Sequence, residues 1–179
     1  MRKLNLSMNR LQSLPKLDLP DLEWLSLARN QLGEIVTFHF DGLPKLAHLD
    51  LSGNRLKTIL ELKLPSLEWL SLARNRLNTL STFRADMLPK LAHIDLSHNP
   101  DLMEVAAVVS SLCVPSGCVK TIALQGCNKL QVPSHDVVEK GSVEVAKFFM
   151  RCHELCLTLV IFTFPNHPGH HTGTPNLDI

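Results

Sequence analysis

Two pairs of histidine and aspartate are the residues of this sequence best suited to acid–base or metal chemistry. His48 is followed by Asp50, and His93 by Asp95. Residues two apart on an extended strand point to the same side, so each pair lies on one surface. No serine or cysteine nucleophile is placed by motif to complete a catalytic triad with either pair. We therefore predict no catalytic residues and expect that the chain is not an enzyme.

The five cysteines raise the questions of metal binding and redox environment. Cys152 and Cys156 lie near several histidines (His153, His167, His170 and His171), but the spacing matches no standard zinc site. We predict no metal site and no cofactor. The cysteine count is odd and all five lie in the second half of the chain, which favours a reducing, cytoplasmic location. The sequence also allows a disulfide between Cys113 and Cys118.

Tryptophan and arginine stand out in a chain that contains no tyrosine and only 5% aromatic residues. Trp24 and Arg29 belong to the nine-residue stretch Leu22–Asn30, which recurs unchanged at Leu67–Asn75 and so repeats both residues as Trp69 and Arg74. Exposed tryptophan beside arginine is typical of the centre of a protein interface.

These residues are positioned by a short strand that recurs along the chain. In the stretch Leu22–Asn30, Leu25 and Leu27 alternate with Trp24, Ser26 and Ala28, and a period of two predicts a strand with one apolar face. Related stretches begin at Leu46 and Leu91, and all four follow the pattern LxxLxLxxN, with Ile94 replacing one leucine in the last. One such unit cannot bury its leucines alone, so neighbouring units must stack into a solenoid with a parallel sheet on one side.

The motif resembles the leucine-rich repeat, over most of residues 1–150. The resemblance implies an α/β solenoid of about six coils: a curved horseshoe with the parallel sheet on its concave face and a mostly irregular or short helical convex side. It also implies that buried asparagines after each strand form a ladder of hydrogen bonds. The matching positions are Asn9, Asn30, Asn54, Asn75 and Asn99, with Cys127 as their substitute in a sixth, degenerate coil built on Ile122 and Leu124.

The repeats predict a division of the chain at about residue 151. Residues 1–151 are expected to form the solenoid and a closing helix, in which Val138, Val145, Phe148 and Phe149 cover the last coil. A helix is expected within residues 101–112, where apolar residues recur at helical spacing. Residues 152–179 are predicted to be a disordered tail, whose apolar run at 155–164 is too short to span a bilayer. Nothing in residues 1–11 caps the first coil, so we expect a fragment of a longer array.

Two features suggest more specific relatives. The series from Pro133 through Gly141 to Phe149 resembles the element that closes leucine-rich repeats in Roco proteins, which would make the chain the repeat segment of a Roco-type signalling GTPase or kinase without its catalytic domains. Phe40–Leu43 resembles coils of extracellular receptors, which would make it a fragment of a receptor ectodomain. Both remain alternatives to a free-standing interaction module.

The repeat alignment places a candidate binding surface on the outward side of the predicted sheet. We expect a protein partner of unknown identity to contact it at eight positions: Trp24, Arg29, His48, Asp50, Trp69, Arg74, His93 and Asp95. A second reading is that the duplication copied a tryptophan that only stacks on neighbouring side chains. The net charge of +1 argues against nucleic acid as the partner, and no membrane span is expected.

Overall fold

The structure, a computed structural model, describes residues 1–33, 40–59, 62–80, 83, 85–103, 105, 119–130 and 132–151. The helix predicted within residues 101–112 falls largely outside the described residues, and so does the predicted tail at 152–179. In the part of the chain that is described, no helix is long and apolar enough to cross a membrane.

Six three-residue strands form one parallel sheet whose spatial order follows the chain. The strands are β1 (Lys3–Asn5), β2 (Trp24–Ser26), β3 (His48–Asp50), β4 (Trp69–Ser71), β5 (His93–Asp95) and β6 (Thr121–Ala123). Trp24 pairs with His48, His48 with Trp69, and Trp69 with His93. This register is the alignment that the sequence repeats predict. The solenoid with one strand per coil is confirmed.

The core lies on the inward side of the sheet and consists mainly of leucine. In each interior coil both inward strand positions are closed to solvent; Leu25, Leu27, Leu70 and Leu72 are each 0% exposed. Ile122 and Leu124 take the same places in the sixth coil, at 0% and 1%. Because each coil packs its leucines against the coils on both sides, the core is one continuous cluster from Leu14 to Phe149.

The asparagine ladder is formed by four side chains that each bridge two coils. Asn75 donates from Nδ2 to the carbonyl oxygens of Leu51 and Leu72 at 3.0 and 2.9 Å, and its Oδ1 accepts the Leu56 N–H at 3.1 Å. Asn30, Asn54 and Asn99 repeat this pattern with their own neighbours. All four are buried, so the amides satisfy backbone groups that water cannot reach.

The two ends of the ladder differ from its middle. Asn9, predicted to be buried like the others, is exposed and donates only within its own coil, to Leu6 and Ser7. That part of the prediction is wrong, because β1 is the edge strand of the sheet and no described coil lies on its other side. At the far end Cys127 is buried as predicted, and its thiol donates to Leu96 O at 3.2 Å. Burial raises the pKa of the Cys127 thiol.

The described parts of the return segments between strands are mostly irregular, and two helices follow β6. A single 3₁₀ turn, Ala85–Met87, lies in the described part of the return segments. Helix α1 (His135–Glu139) and helix α2, residues 142–151, follow β6. Val138, Val145 and Phe149 are buried in the same core cluster as β6, whereas Phe148 is only partly buried. These side chains cover the last coil.

Gly42 lies at a close approach of two return segments, and its substitution should weaken the stacking of coils. Its carbonyl accepts the Leu19 N–H at 3.1 Å, and a Cβ at this position would overlap the carbonyl oxygen of Leu17. We expect Gly42→Ala to cost about 1–3 kcal/mol of unfolding free energy, measured by urea denaturation, because backbone must move.

Gly33→Ala is the matched control, because no atom of the described residues lies within 4 Å of its added Cβ. The control should change stability by less than about 0.5 kcal/mol. Equal effects of the two substitutions would show that the approach at Leu17 does not limit the packing of coils.

Candidate functional site

The sheet register aligns the outward side chains of the strands in columns that run across the coils. We call this surface the outer face. Its first column is Lys3, Trp24, His48, Trp69, His93 and Thr121, and its second is Asn5, Ser26, Asp50, Ser71, Asp95 and Ala123. Six of the eight predicted contact residues therefore lie in two adjacent columns of one surface.

An aromatic stack occupies the middle of the first column. The ring of His48 lies between two indoles: its centroid is 3.9 Å from that of Trp69, with an interplanar angle of 2°, and 5.5 Å from that of Trp24, at 18°. Burial lowers the pKa of His48, and the nearby Asp50 carboxylate opposes this shift. The imidazole is therefore mostly neutral at pH 7, and the stack is a largely apolar ridge.

Both tryptophans remain half-buried rather than becoming part of the core. Within the described residues neither indole N–H has a hydrogen-bond partner, and no buried side-chain nitrogen or oxygen lacks one, so both N–H groups reach solvent. The second reading of the sequence is correct in that each tryptophan stacks on His48. Stacking leaves the indole edges and their donors free for other contacts.

The two His–Asp pairs do not form a proton relay. Asp50 Oδ1 accepts the Ser52 N–H at 3.0 Å, and Asp95 Oδ1 accepts the Ser97 N–H at 2.9 Å. His93 Nδ1 lies 2.8 Å from Thr121 Oγ1, away from its own aspartate. Each side chain thus has another partner. Among the residues that the structure describes, no cluster of His, Cys, Asp and Glu could hold a metal ion.

The serines and alanines of the outer face are more buried than the outward positions assigned to them by the repeat alignment would indicate. Ser26 is 4% exposed and Ala28 9%, and their repeats Ser71 and Ala73 are 3% and 7% exposed. The repeat alignment places these positions on the outward side of the sheet, but their short side chains are nearly closed to solvent. The outer face therefore consists of the aromatic ridge and the aspartates, with a low floor of serine and alanine.

The two predicted arginines stand just beyond the strands, in a backbone conformation that normally suits glycine. Arg29 has a φ of 53° and Arg74 of 55°. Gly53 and Gly126 occupy the equivalent positions of other coils, with φ of 66° and 74°. A left-handed non-glycine residue costs about 1–2 kcal/mol. The sequence analysis missed this conformation, although the two glycines in the same repeat position were a signal for it.

Comparison with known protein families agrees with this architecture. The family model described as "Leucine rich repeat" matches residues 1–56. The later coils repeat the strand, register and ladder of those residues. Residues 1–56 therefore match the leucine-rich repeat family, and the described solenoid has the leucine-rich repeat fold throughout.

The chain was also compared with solved structures and with curated proteins. The crystal structure of the APL1 leucine-rich repeat domain is 21% identical in sequence, with a TM-score of 0.35, over 70% of this chain and 43% of that one. The chain thus spans less than half of that structure. A search of curated proteins found no match.

The family match over residues 1–56 and the solenoid fold support a coarse functional statement. Leucine-rich repeat domains are generally non-enzymatic modules that bind proteins on extended surfaces. The resemblance to Roco proteins, the receptor-fragment alternative and the cytoplasmic location stay predictions, because none of these observations tests them.

Proposed function

We propose that this chain is a non-catalytic interaction module that holds a protein partner on the outer face, the concave side of the solenoid. The contact surface consists of the eight residues selected from the sequence: Trp24, Arg29, His48, Asp50, Trp69, Arg74, His93 and Asp95. The aromatic stack provides the central anchor, the aspartates provide polar specificity, and the arginines form one rim.

The observation that carries the proposal is the aromatic stack with its two outward indole donors. A large, rigid and half-exposed aromatic group loses little conformational entropy on binding and offers both apolar area and a hydrogen-bond donor. Trp24 and Trp69 are the chain's only tryptophans, and both belong to this one surface. Their concentration there favours an interface hot spot.

The arginines supply independent support. Arg29 and Arg74 are exposed and occupy a repeat position whose backbone has positive φ in every coil, including those with Met8 and His98 there. The repeat thus presents two guanidinium groups just beyond the strands of the outer face. Guanidinium groups are enriched in protein interfaces, because their planar donors bind carboxylates and carbonyls.

Photo-crosslinking from the full-length chain tests the proposal directly. Lys3 is exposed on the outer face and pairs in register with Trp24, whereas Lys63 is an equally exposed lysine in a return segment. We expect Lys3→p-benzoylphenylalanine to yield a discrete protein adduct in a cell lysate. The matched variant Lys63→p-benzoylphenylalanine should yield much less of it. Adduct formation from Lys63 alone, or equally from both positions, would contradict binding at the outer face.

A further inference from the structure

We propose that the segment held on the outer face is a polyproline II stretch that carries a basic side chain at every third residue. This inference rests on the proposed function and names the kind of partner that the surface fits. It comes from the spacing of repeated groups on the outer face and from the hydrogen-bonding and charge state of those groups.

The outer face presents the same chemical groups twice, at a fixed distance. Trp24 and Trp69 lie on β2 and β4, and Asp50 and Asp95 lie on β3 and β5, so each pair is separated by two strand spacings. Two spacings of a β-sheet amount to about 9.6 Å. A ligand that uses both copies must therefore repeat its own groups at nearly this distance.

Polyproline II is the regular backbone conformation whose repeat comes nearest to this distance. It has three residues per turn and a rise of about 3.1 Å, so equivalent side chains recur on one side every ~9.3 Å. An extended β-strand repeats each face at about 6.8 Å. An α-helix returns to the same face after seven residues, at roughly 10.5 Å. The mismatch with the sheet is thus about 0.3 Å for polyproline II and about 0.9 Å for a helix.

The solvent-exposed N–H donors of the aromatic stack can bond to the backbone of such a ligand. The indole N–H groups of Trp24 and Trp69 have no hydrogen-bond partner within the described residues. A polyproline II backbone makes no internal hydrogen bonds, so its carbonyl oxygens are free to accept. Carbonyls three residues apart would meet the two indoles, and proline rings would pack against the aromatic edges, as in other aromatic-lined grooves for proline-rich segments.

The charge of the second column selects a basic ligand. Asp50 and Asp95 are half-buried, and no lysine or arginine in the described part of the chain forms an ion pair with either. His48, held neutral by its burial, does not neutralise Asp50 at pH 7. Arg29 and Arg74 lie three residues after Ser26 and Ser71, the strand partners of the two aspartates, where the strands have already ended. Both arginines are exposed, so salt at physiological concentration weakens their repulsion of a basic ligand.

Synthetic peptides separate the periodic fit from simple charge attraction. The probe is the twelve-residue peptide (Pro-Pro-Arg)₄. Its control has the same composition with the four arginines in one block, and a second control is (Pro-Pro-Glu)₄. Binding to the full-length protein is followed by calorimetry and by the emission of its two tryptophans. We expect the periodic peptide to bind at least 10-fold more tightly than the blocked isomer, and the acidic peptide not to bind.

Variants of the protein test the contact between the aspartates and the arginines of the peptide. Asp50→Asn with Asp95→Asn should lower the affinity for the periodic peptide about 10-fold, so that it binds no more tightly than the blocked isomer. Ser52→Ala with Ser97→Ala, which keeps the backbone N–H that each aspartate accepts, should leave binding unchanged. Equal binding of both isomers, tighter binding of a helical peptide with arginine every seventh residue, or no peptide binding at all would overturn the inference. A crosslinked partner at Lys3 together with no peptide binding would leave the proposed function standing and remove only this ligand class.

Discussion

Replacing Asn75 by alanine should remove about 3–5 kcal/mol of stability, enough to leave the chain marginally folded. The substitution leaves the buried N–H of Leu56 without a partner. The carbonyls of Leu51 and Leu72 each lose one of two hydrogen bonds and keep those from Asn54 and Asn99. An unsatisfied buried group costs about 1–3 kcal/mol and each lost hydrogen bond about 0.5–1.5 kcal/mol, while domains have a total stability of about 5–15 kcal/mol. Urea denaturation followed by circular dichroism measures the loss.

Two further substitutions make this prediction specific to the ladder. Asn9→Ala should change stability by less than about 0.5 kcal/mol, because Asn9 is exposed and bonds only within its own coil. Asn75→Cys should recover part of the loss, since Cys127 donates one hydrogen bond from the equivalent position. A loss below about 1 kcal/mol for Asn75→Ala would show that water or neighbouring groups replace the amide.

The backbone architecture was predictable because it is fixed by a pattern that each coil repeats. Leucine or isoleucine at period two defines the inward side of every strand, and the recurrence of the motif every 21 to 28 residues fixes the register. The pairing of Trp24 with His48 and of His48 with Trp69 follows from that spacing alone. The buried bonding of Asn30, Asn54, Asn75 and Asn99 follows because each faces the same backbone groups in the adjacent coil.

The details of the outer face were less accessible to the sequence. Side-chain positions there depend on the size of neighbours on other coils, and these are not adjacent in the chain. The ring of His48 fills the space between Trp24 and Trp69, whereas His93, with the same neighbour on one side only, lies beside Thr121. Identical repeat units thus differ in their contacts, and the stack forms once.

Removing both indoles should weaken the partner's affinity by about 100- to 1,000-fold while the solenoid stays folded. Each truncated hot-spot aromatic typically costs 2 kcal/mol or more of binding free energy, and a tenfold change in affinity corresponds to about 1.4 kcal/mol. Trp24 and Trp69 are half-buried, so Trp24→Ala with Trp69→Ala should cost only about 1–3 kcal/mol in stability. Calorimetry with the partner recovered by crosslinking, and a urea denaturation curve, measure the two effects.

The most direct test of the binding surface is therefore the affinity of that partner for three full-length proteins. They are the native chain, the double tryptophan variant, and a control with Met103→Ala and Val143→Ala, which removes apolar side chains that are 53% and 49% exposed outside the sheet. Binding at the outer face predicts that only the tryptophan variant loses affinity, with its cooperative unfolding retained. Undiminished affinity of a folded tryptophan variant, or an equal loss in the control, would contradict it.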